Sequence, residues 1–384
     1  MNNFSYHNPV RIVFGKGSIA KLSKLIPSSA KILITYGGGS IKKNGVLDQV
    51  SKALAKHTVI EFGGIEANPQ YETLMKAVEI CQKQSINFLL AVGGGSVLDG
   101  TKFIAAATKF TGGDPWKLLS ETAPVEEALP IGAVLTLPAT GSEMNCAAVV
   151  SRKSTQEKFG FINNKLYPQF SILDPETTFS LPSRQIANGV VDTFVHVMEQ
   201  YMTYPVAAPL QDRQAEAIIS TLLEEGPKAL QNPSDYDVRA NLMWCATQAL
   251  NGTISVGIPQ DWSSHGIGHE LTAFYGLDHA QTLAVVFPGV CQNQFEQKLE
   301  KLTQLGQRCF GLNGNVRGIA HQTIEHIANF FESMGVPTHL SKYGVDANEA
   351  AKKIEARFAK RGGKIGEHGN LDAKQIGLII KGRA

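Results

Sequence analysis

The segment Gly189–Met198 combines ionisable and apolar side chains in a pattern that suggests a buried metal site. Its sequence, GVVDTFVHVM, is apolar nearly all round, which predicts a buried helix. Asp192 and His196 are four residues apart and therefore share one face of that helix. A carboxylate and an imidazole in such surroundings are costly unless they bind a metal or each other. This segment alone supports metal binding and a buried Asp–His hydrogen bond equally.

Three more histidines, His265, His269 and His279, lie in one glycine-rich stretch containing SSHGIGHE and GLDHA. Because most of the other histidines are spread singly, this clustering indicates a site. One carboxylate with three imidazoles suits Fe²⁺ or Zn²⁺ and is too rich in nitrogen for Mg²⁺ or Ca²⁺. Spacing leaves open whether His265 or His269 binds the metal. The lack of a His-Glu-x-x-His motif removes the main support for a zincin protease.

Two glycine-rich turns follow apolar, β-branched runs, and both precede helical sequence: Gly37–Ser40 after KILITY and Gly93–Ser96 after NFLLAV. Glycines let the backbone approach a phosphate, and the amides at a helix N-terminus point towards it. We therefore expect the second turn to bind a diphosphate, the alternative being a tight turn with no ligand. Neither a complete Gly-x-Gly-x-x-Gly motif nor a Walker lysine is present.

The first glycine turn, Gly37–Ser40, indicates whether the protein prefers NADH or NADPH. Enzymes that prefer NAD often place an acidic residue after this strand, where it holds the ribose hydroxyls, and none is found here. Ser40 and Lys42 could instead bind a 2′-phosphate, which favours NADPH. The alternative is that Lys42 and Lys43 lie on a solvated helix face.

The elements that must position these residues fall into two groups. Short buried strands alternate with helices up to Leu181–Pro182, which predicts an α/β dinucleotide-binding domain with a parallel sheet. Beyond that point helical periods dominate. We expect domain boundaries at 1–182 for the α/β domain and 183–384 for an all-helical, metal-binding and catalytic domain.

Composition excludes several classes of protein. A chain of 384 residues with 43% hydrophobic and 18% charged residues is expected to form two compact domains. A net charge of +2, with scattered basic residues, indicates neither a nucleic-acid nor a membrane partner. The N-terminus lacks a signal-peptide pattern, so a cytoplasmic enzyme is expected. The five cysteines have irregular spacings and are read as free thiols.

Five longer motifs extend over essentially the whole chain: NPVRIVFGKG at 8–17, GGGSVLDGTK at 93–102, LPATGSE at 137–143, HGIGHE at 265–270 and GLDHA at 276–280. Together they resemble the iron-dependent (group III) alcohol dehydrogenases, in particular the NADPH-dependent butanol dehydrogenases and broad aldehyde reductases. Met144-Asn145-Cys146 departs from the smaller residues expected after Gly-Ser-Glu, and Cys146 could border the cofactor or simply pack in the core.

The resemblance implies a dehydroquinate synthase-like fold and assigns roles to individual residues. The metal ligands are Asp192, His196, His265 and His279, while His269 lies near the nicotinamide without being a ligand. His269 and Asp99 are the candidate catalytic residues. To the residues of the first glycine turn and the helix after it (Gly37, Gly38, Gly39, Ser40 and Lys42) the resemblance adds these expected cofactor contacts: Gly94, Gly95, Ser96, Asp99, Thr136, Thr140, Ser142, Asn145 and Lys158. The strand at 10–14 resembles the segment through which family members form homodimers.

The leading hypothesis is therefore reversible hydride transfer between NADP(H) and a small aldehyde or alcohol, with Fe²⁺ or Zn²⁺ as a Lewis acid and His269 as a proton relay. The alternatives are a polyol dehydrogenase or a dehydroquinate synthase-like lyase of the same fold. A third hypothesis is a metallohydrolase whose glycine-rich turns bind a phosphate substrate. A non-catalytic binding protein fits poorly with a buried carboxylate and clustered imidazoles.

Overall fold

The computed structural model describes all residues, 1–384. Its eight strands are β1 (Arg11–Phe14), β2 (Lys31–Thr35), β3 (Thr58–Phe62), β4 (Phe88–Gly94), β5 (Ile131–Leu137), β6 (Ala147–Arg152), β7 (Glu157–Ile162) and β8 (Phe170–Leu173). In the first half the helices are α1 (Leu22–Leu25), α2 (Ser40–Lys43), α3 (Val46–Ala53), α4 (Tyr71–Lys83), α5 (Gly95–Lys109) and α6 (Lys117–Ser120). The second half contains α7 (Ser183–Tyr201), α8 (Pro209–Gln231), α9 (Tyr236–Ala249), α10 (Ser263–Tyr275), α11 (His279–Asn293), α12 (Phe295–Cys309), α13 (Val316–Ser333), α14 (Ala347–Arg361) and α15 (Ala373–Lys381). Short 3₁₀ turns occur at 18–21, 142–144, 164–166, 175–178 and 340–343.

Six strands form one sheet in the order β1-β8-β5-β4-β2-β3, and every pair in it is parallel. Strand β4 shows why its sequence is apolar without alternation. Leu89 and Ala91 pack into the core on one face of the sheet, whereas Leu90 and Val92 pack into the core on the other. Both faces are covered, as expected for a parallel sheet. The predicted α/β fold with a parallel sheet is confirmed.

The helical half contains no strand, in agreement with the predicted all-helical region. Every residue of α7 from Gly189 to Tyr201 is buried, as its apolar surroundings indicated. Helices α10, α11, α14 and α15 share an apolar core. A helix buried on all sides keeps its ionisable side chains out of water. Each of these side chains therefore needs a hydrogen-bond, ionic or metal partner to offset the cost of its burial.

The chain divides into two compact units that are not simple halves. One comprises residues 7–182 and 233–251, and the other comprises residues 1–6, 183–232 and 252–384. The segment 233–251 belongs to the α/β unit because α9 is bonded to it. The Arg239 guanidinium donates to Thr178 Oγ1 at 2.8 Å, and Thr247 Oγ1 donates to the Glu143 carboxylate at 2.6 Å. The division into 1–182 and 183–384 remains a proposal about folding domains.

None of the helices combines the length and apolar character needed to span a bilayer.

Candidate functional site

Four of the side chains singled out in the sequence come together in the helical unit. One ligand atom each from Asp192, His196, His265 and His279 lies within 4.8 Å of the others. Helix α7 supplies the first two from one face, α10 supplies His265 in its first turn, and His279 is the first residue of α11. All but His279 are buried. Three helices thus bring one carboxylate and three imidazoles to one point.

The spacing within this cluster fits ligands of a shared cation better than direct hydrogen bonds. Asp192 Oδ1 lies 3.8 Å from His196 Nδ1 and 3.6 Å from His279 Nε2. Hydrogen bonds of this type are about 2.7–3.2 Å long. Ligands around a tetrahedral ion at about 2.1 Å stand roughly 3.4 Å apart. The alternative of a direct Asp192–His196 hydrogen bond does not match the distance.

His269 lies one helical turn beyond His265 on α10 and is outside the converged set. Its ring centroid is 5.6 Å from that of His279, and its side chain is partly exposed. Spacing could not choose between His265 and His269 because both face the same side of α10. The crossing of α10 with α7 brings His265 into the converged set, because it places the first turn of α10 against His196. The ring centroids of His196 and His265 are 4.7 Å apart.

Glu199 is a site residue that the sequence reasoning missed. Its Oε1 lies 3.0 Å from His265 Nδ1 and also accepts the His265 backbone N–H at 3.0 Å. Burial and the nearby Asp261 carboxylate raise the pKa of Glu199, while the bond from His265 opposes the shift. The available signal was its position on α7, because residues 192, 196 and 199 occupy one helix face.

The second glycine turn joins β4 to α5, as predicted, but packing alone accounts for its glycines. A Cβ atom on Gly93 would lie 2.5 Å from Val97 Cγ2, and one on Gly95 would lie 2.3 Å from Thr140 Oγ1. A Cβ on Gly94 would meet Leu137 at 2.8 Å. The glycine content is therefore consistent with a phosphate site but is not by itself an indication of one.

Several predicted cofactor residues next to this turn are held in a buried polar network. Asp99 Oδ1 accepts from Ser142 Oγ at 2.7 Å, and Asp99 Oδ2 accepts from the Val149 N–H at 3.0 Å. Burial raises the pKa of Asp99, although the Lys102 ammonium opposes this. Both carboxylate oxygens of Asp99 thus have protein donors.

Lys102, which the sequence reasoning did not select, is the centre of this network. Its Nζ donates to Ser142 Oγ at 2.8 Å, Asn145 Oδ1 at 3.0 Å and the Ala147 carbonyl at 2.8 Å. Burial lowers the pKa of Lys102 to about 8, against the opposing effect of Asp99. Its place in the GGGSVLDGTK motif, one turn after Asp99 on α5, was the signal.

The remaining predicted cofactor residues border the same part of the α/β unit. Thr136 is buried near the end of β5, and Ser96 Oγ donates to the Ala67 carbonyl. Lys158, on β7, is buried and donates to Asn68 Oδ1 at 3.0 Å. These contacts show donors and acceptors engaged within the protein.

Just after the first glycine turn, Gly37–Ser40, Lys42 has an acidic partner from a neighbouring strand. Gly39 adopts a φ of 90° before α2, a conformation that suits glycine. Lys42 Nζ lies 3.0 Å from Glu61 Oε2, and the Tyr36 hydroxyl donates to the same oxygen at 3.2 Å. Glu61 lies on β3, far along the chain from the end of β2, so the sequence directly after β2 gives no sign of it. The surroundings of the first glycine turn thus include both the Glu61 carboxylate and the Lys42 ammonium.

Comparison with known proteins agrees with this arrangement over both halves of the chain. Residues 9–175 match the profile of iron-containing alcohol dehydrogenases, and residues 186–382 match the C-terminal domain of the Fe-containing alcohol dehydrogenase family. The chain is 55% identical to the NADPH-dependent aldehyde reductase YqhD of Escherichia coli, covering 96% of this chain and 94% of that protein. It is 42% identical to the NADP-dependent alcohol dehydrogenase 3 of Entamoeba histolytica, over 97% of both chains.

Solved structures show the same fold. The substrate- and cofactor-free form of the E. coli aldehyde reductase YqhD superposes with a TM-score of 0.92 at 51% identity, covering 100% of both chains. The NADH-dependent butanol dehydrogenase A of Thermotoga maritima gives 0.96 at 36% identity, covering 100% of this chain and 99% of the other. The parallel α/β unit and the helical unit are thus those of an oxidoreductase of the alcohol dehydrogenase type. The chain belongs to the iron-containing alcohol dehydrogenase family, which confirms the resemblance seen in the sequence.

Proposed function

We propose that this protein reduces aldehydes to primary alcohols with NADPH, and catalyses the reverse oxidation, with the help of a divalent metal. The observation that carries the proposal is the convergence of Asp192, His196, His265 and His279 in one buried cluster. The 55% identity to an NADPH-dependent aldehyde reductase supports the reaction and its direction. Simple aldehydes such as butanal are the first substrates to test, since several relatives are named butanol dehydrogenases.

The four converged residues are the proposed metal ligands. One anionic oxygen and three neutral nitrogens suit Fe²⁺, the metal after which the family is named, and also suit Zn²⁺. When bound, the metal would supply Lewis acidity that polarises the substrate carbonyl oxygen. The protein holds three of the four ligands out of bulk water, which strengthens their electrostatic effect.

His269 is proposed to carry the proton exchanged between substrate and solvent. Its side chain lies one turn beyond His265 and is partly exposed, so it can exchange protons with water. Asp99 holds Ser142 and the β6 backbone in place, and its predicted catalytic role is retained as a proposal. The proposed dinucleotide contacts are the two glycine turns with Ser40, Lys42, Ser96, Thr136, Thr140, Ser142, Asn145 and Lys158.

The proposed assay follows the metal-dependent loss of NADPH absorbance with butanal and other simple aldehydes. Asp192→Asn removes the anionic ligand, and we expect it to lower kcat by at least about 100-fold, since metal polarisation contributes several kcal/mol. Metal analysis should show a matching loss of bound metal. Metal-independent turnover, or no NADPH oxidation with any aldehyde, would contradict the proposal. A lyase that recycles its dinucleotide would show no net NADPH oxidation.

Lys42 is proposed to bind the 2′-phosphate of NADPH. Replacing Lys42 with Ala should raise KM for NADPH by roughly 10-fold or more, the value of one charge-assisted hydrogen bond, and leave KM for NADH within about twofold. The adjacent surface residue Lys43, changed to Ala, is the matched control and should affect neither value. Equal losses with both cofactors would show that Lys42 does not contact the phosphate.

We also propose that the protein is a cytoplasmic homodimer. Strand β1 lies at one edge of the sheet and offers unpaired backbone groups. Phe14 at the end of β1 and Trp244 on α9 are each 40% exposed and contact each other edge to face, with ring centroids 6.2 Å apart. This strand and its aromatic neighbours support dimerisation through the β1 edge. The five free cysteines are consistent with a reducing compartment.

A further inference from the structure

Glu199 is bound to one metal-ligand candidate through two separate contacts. Its Oε1 accepts the His265 backbone N–H and lies at the same distance, 3.0 Å, from the ring nitrogen Nδ1. The side chain of Glu199 is 1% exposed, and that of His265 is 10% exposed. One oxygen of this α7 carboxylate thus contacts both the backbone and the ring of one residue of α10.

The backbone contact alone would make Glu199 a helix cap. The first amides of α10 lack partners within the helix, and a carboxylate there is favourable. However, Asp261 already serves this end of α10, since its Oδ1 accepts the Ser263 N–H at 3.0 Å. The second contact of Glu199, to the imidazole ring, needs a separate explanation.

The ring contact determines which nitrogen of His265 is available. An imidazole that donates through Nδ1–H to a carboxylate presents Nε2 as its lone-pair donor. Such outer contacts fix the ring's orientation and raise its basicity as a ligand. We propose that Glu199 is a positioning residue for the metal, holding His265 in the tautomer and orientation in which Nε2 faces Asp192, His196 and His279.

The surroundings of Glu199 keep it in place. The Asp261 N–H donates to the Glu199 carbonyl at 2.9 Å, and Lys298 Nζ donates to Asp261 Oδ2 at 2.6 Å. Burial and the Asp261 carboxylate raise the pKa of Glu199, whereas the Lys298 ammonium favours its ionised form. A divalent cation at the four ligands would also favour the ionised form. The positioning role rests on the metal site proposed above.

The test measures metal affinity, not turnover. Wild type and Glu199→Gln are stripped of metal and titrated with Zn²⁺ against a chromophoric chelator. The amide is isosteric and keeps an acceptor oxygen, but it lacks the negative charge, so we expect affinity to fall about 10- to 100-fold. Glu216→Gln is the matched control: Glu216 is buried in the same unit and accepts from the Tyr201 hydroxyl at 2.9 Å. Its affinity should stay within about threefold of wild type.

A double-mutant cycle separates positioning from a general loss of structure. If Glu199 acts through His265, Glu199→Gln should have no further effect on Zn²⁺ affinity in a His265→Ala background. Thermal unfolding in chelator identifies any variant that is not folded. Should the amide variant be unstable, Glu199→Asp keeps the charge but withdraws it by one methylene, and its affinity should fall as well.

Three results would overturn the inference or its basis. Wild-type affinity in folded Glu199→Gln, or an equal loss in the His265→Ala background, would leave Glu199 as a helix cap only. If Asp192→Asn also binds Zn²⁺ as tightly as wild type, the metal site itself is wrong. The Asp192 measurement therefore distinguishes failure of the proposed function from failure of the inference.

Discussion

At the scale of single residues, one buried ammonium faces two carboxylates in the same compact unit as the cluster of Asp192, His196, His265 and His279. Lys298 Nζ lies 2.6 Å from Asp261 Oδ2 and 3.1 Å from each oxygen of Glu367, and all three side chains are buried. Burial, followed by the effect of Asp261, raises the pKa of Glu367 to about 7, against the pull of Lys298. Burial opposes the ionisation of Asp261, but the same ammonium lowers its pKa below the usual value. Lys298 thus has one neighbour with a lowered pKa and one with a raised pKa.

Glu367 should make the protein less stable as the pH rises. Between its unfolded pKa of 4.5 and its folded pKa of about 7, the folded chain retains a proton that the unfolded chain has lost. Its contribution to stability is thus complete below the lower pKa and is lost as the pH passes the higher one. The groups facing Glu367 are Asp261, Lys298, His368 and Cys291.

Urea unfolding at several values between about pH 5 and about pH 8 tests this expectation. The free energy of unfolding of wild type minus that of Glu367→Gln should fall across this range. His368→Ala is measured in the same way, so that any pH dependence due to the adjacent His368 imidazole is separated from that of Glu367. A difference that stays constant or rises with pH would show that Glu367 is ionised throughout.

At the scale of elements, the convergence of the four side chains depends on how closely α10 approaches α11. Gly268 lies at this crossing, and a Cβ atom there would stand 2.8 Å from Thr282 Oγ1. Helix α11 begins with a capping box formed by Asp278 and Gln281, which places His279 in its first turn. The two glycines of the HGIGHE motif thus have different surroundings, since a Cβ on Gly266 would meet its nearest neighbour only at 3.7 Å.

Gly268→Ala should push α10 and α11 apart and move His265 relative to His279. We expect Zn²⁺ affinity to fall at least about 10-fold and stability to fall by about 1–3 kcal/mol, as for other overpacked sites. Gly266→Ala, two residues away on the same helix, should keep wild-type affinity and gain up to about 1 kcal/mol from helix propensity. Chelator competition and thermal unfolding measure both variants. Equal changes in Zn²⁺ affinity and stability for Gly268→Ala and Gly266→Ala would show that Gly268 is not needed for the close approach of α10 and α11.

At the scale of the whole molecule, all four proposed metal ligands belong to one compact unit, whereas both glycine turns belong to the other. Metal that binds only the folded state stabilises it by about 2.7 kcal/mol at 100 times its Kd. Metal removal should therefore lower the unfolding temperature by roughly 5–10 °C. We expect the affinity for NADPH to be unchanged by metal removal, because none of the proposed dinucleotide contacts is a proposed metal ligand.

Two measurements on chelator-treated protein test this expectation. Calorimetry should show the lowered unfolding temperature, and Asp192→Asn should not respond to the chelator. Titration followed by NADPH fluorescence should give a Kd within about threefold of that of the metal-loaded protein. Loss of NADPH binding on chelation would mean that the metal also organises the dinucleotide site.

The sequence by itself determined the features that depend on local periodicity. Apolar runs ending in glycine predicted the buried parallel strands, and the apolar surroundings of Asp192 and His196 predicted the burial of α7. The residue types also restricted the metal, because one carboxylate and three imidazoles suit few ions. These conclusions need only neighbouring residues along the chain.

Only the tertiary structure decided which distant residues meet. Helix crossings brought His265 and not His269 into the converged set, placed Glu199 behind His265, and gave Lys42 the partner Glu61 from β3. Helix α9 joined the α/β unit through Arg239 and Thr247 for the same reason. Such contacts link residues far apart in sequence, and they depend on the packing of whole elements, which no local pattern specifies.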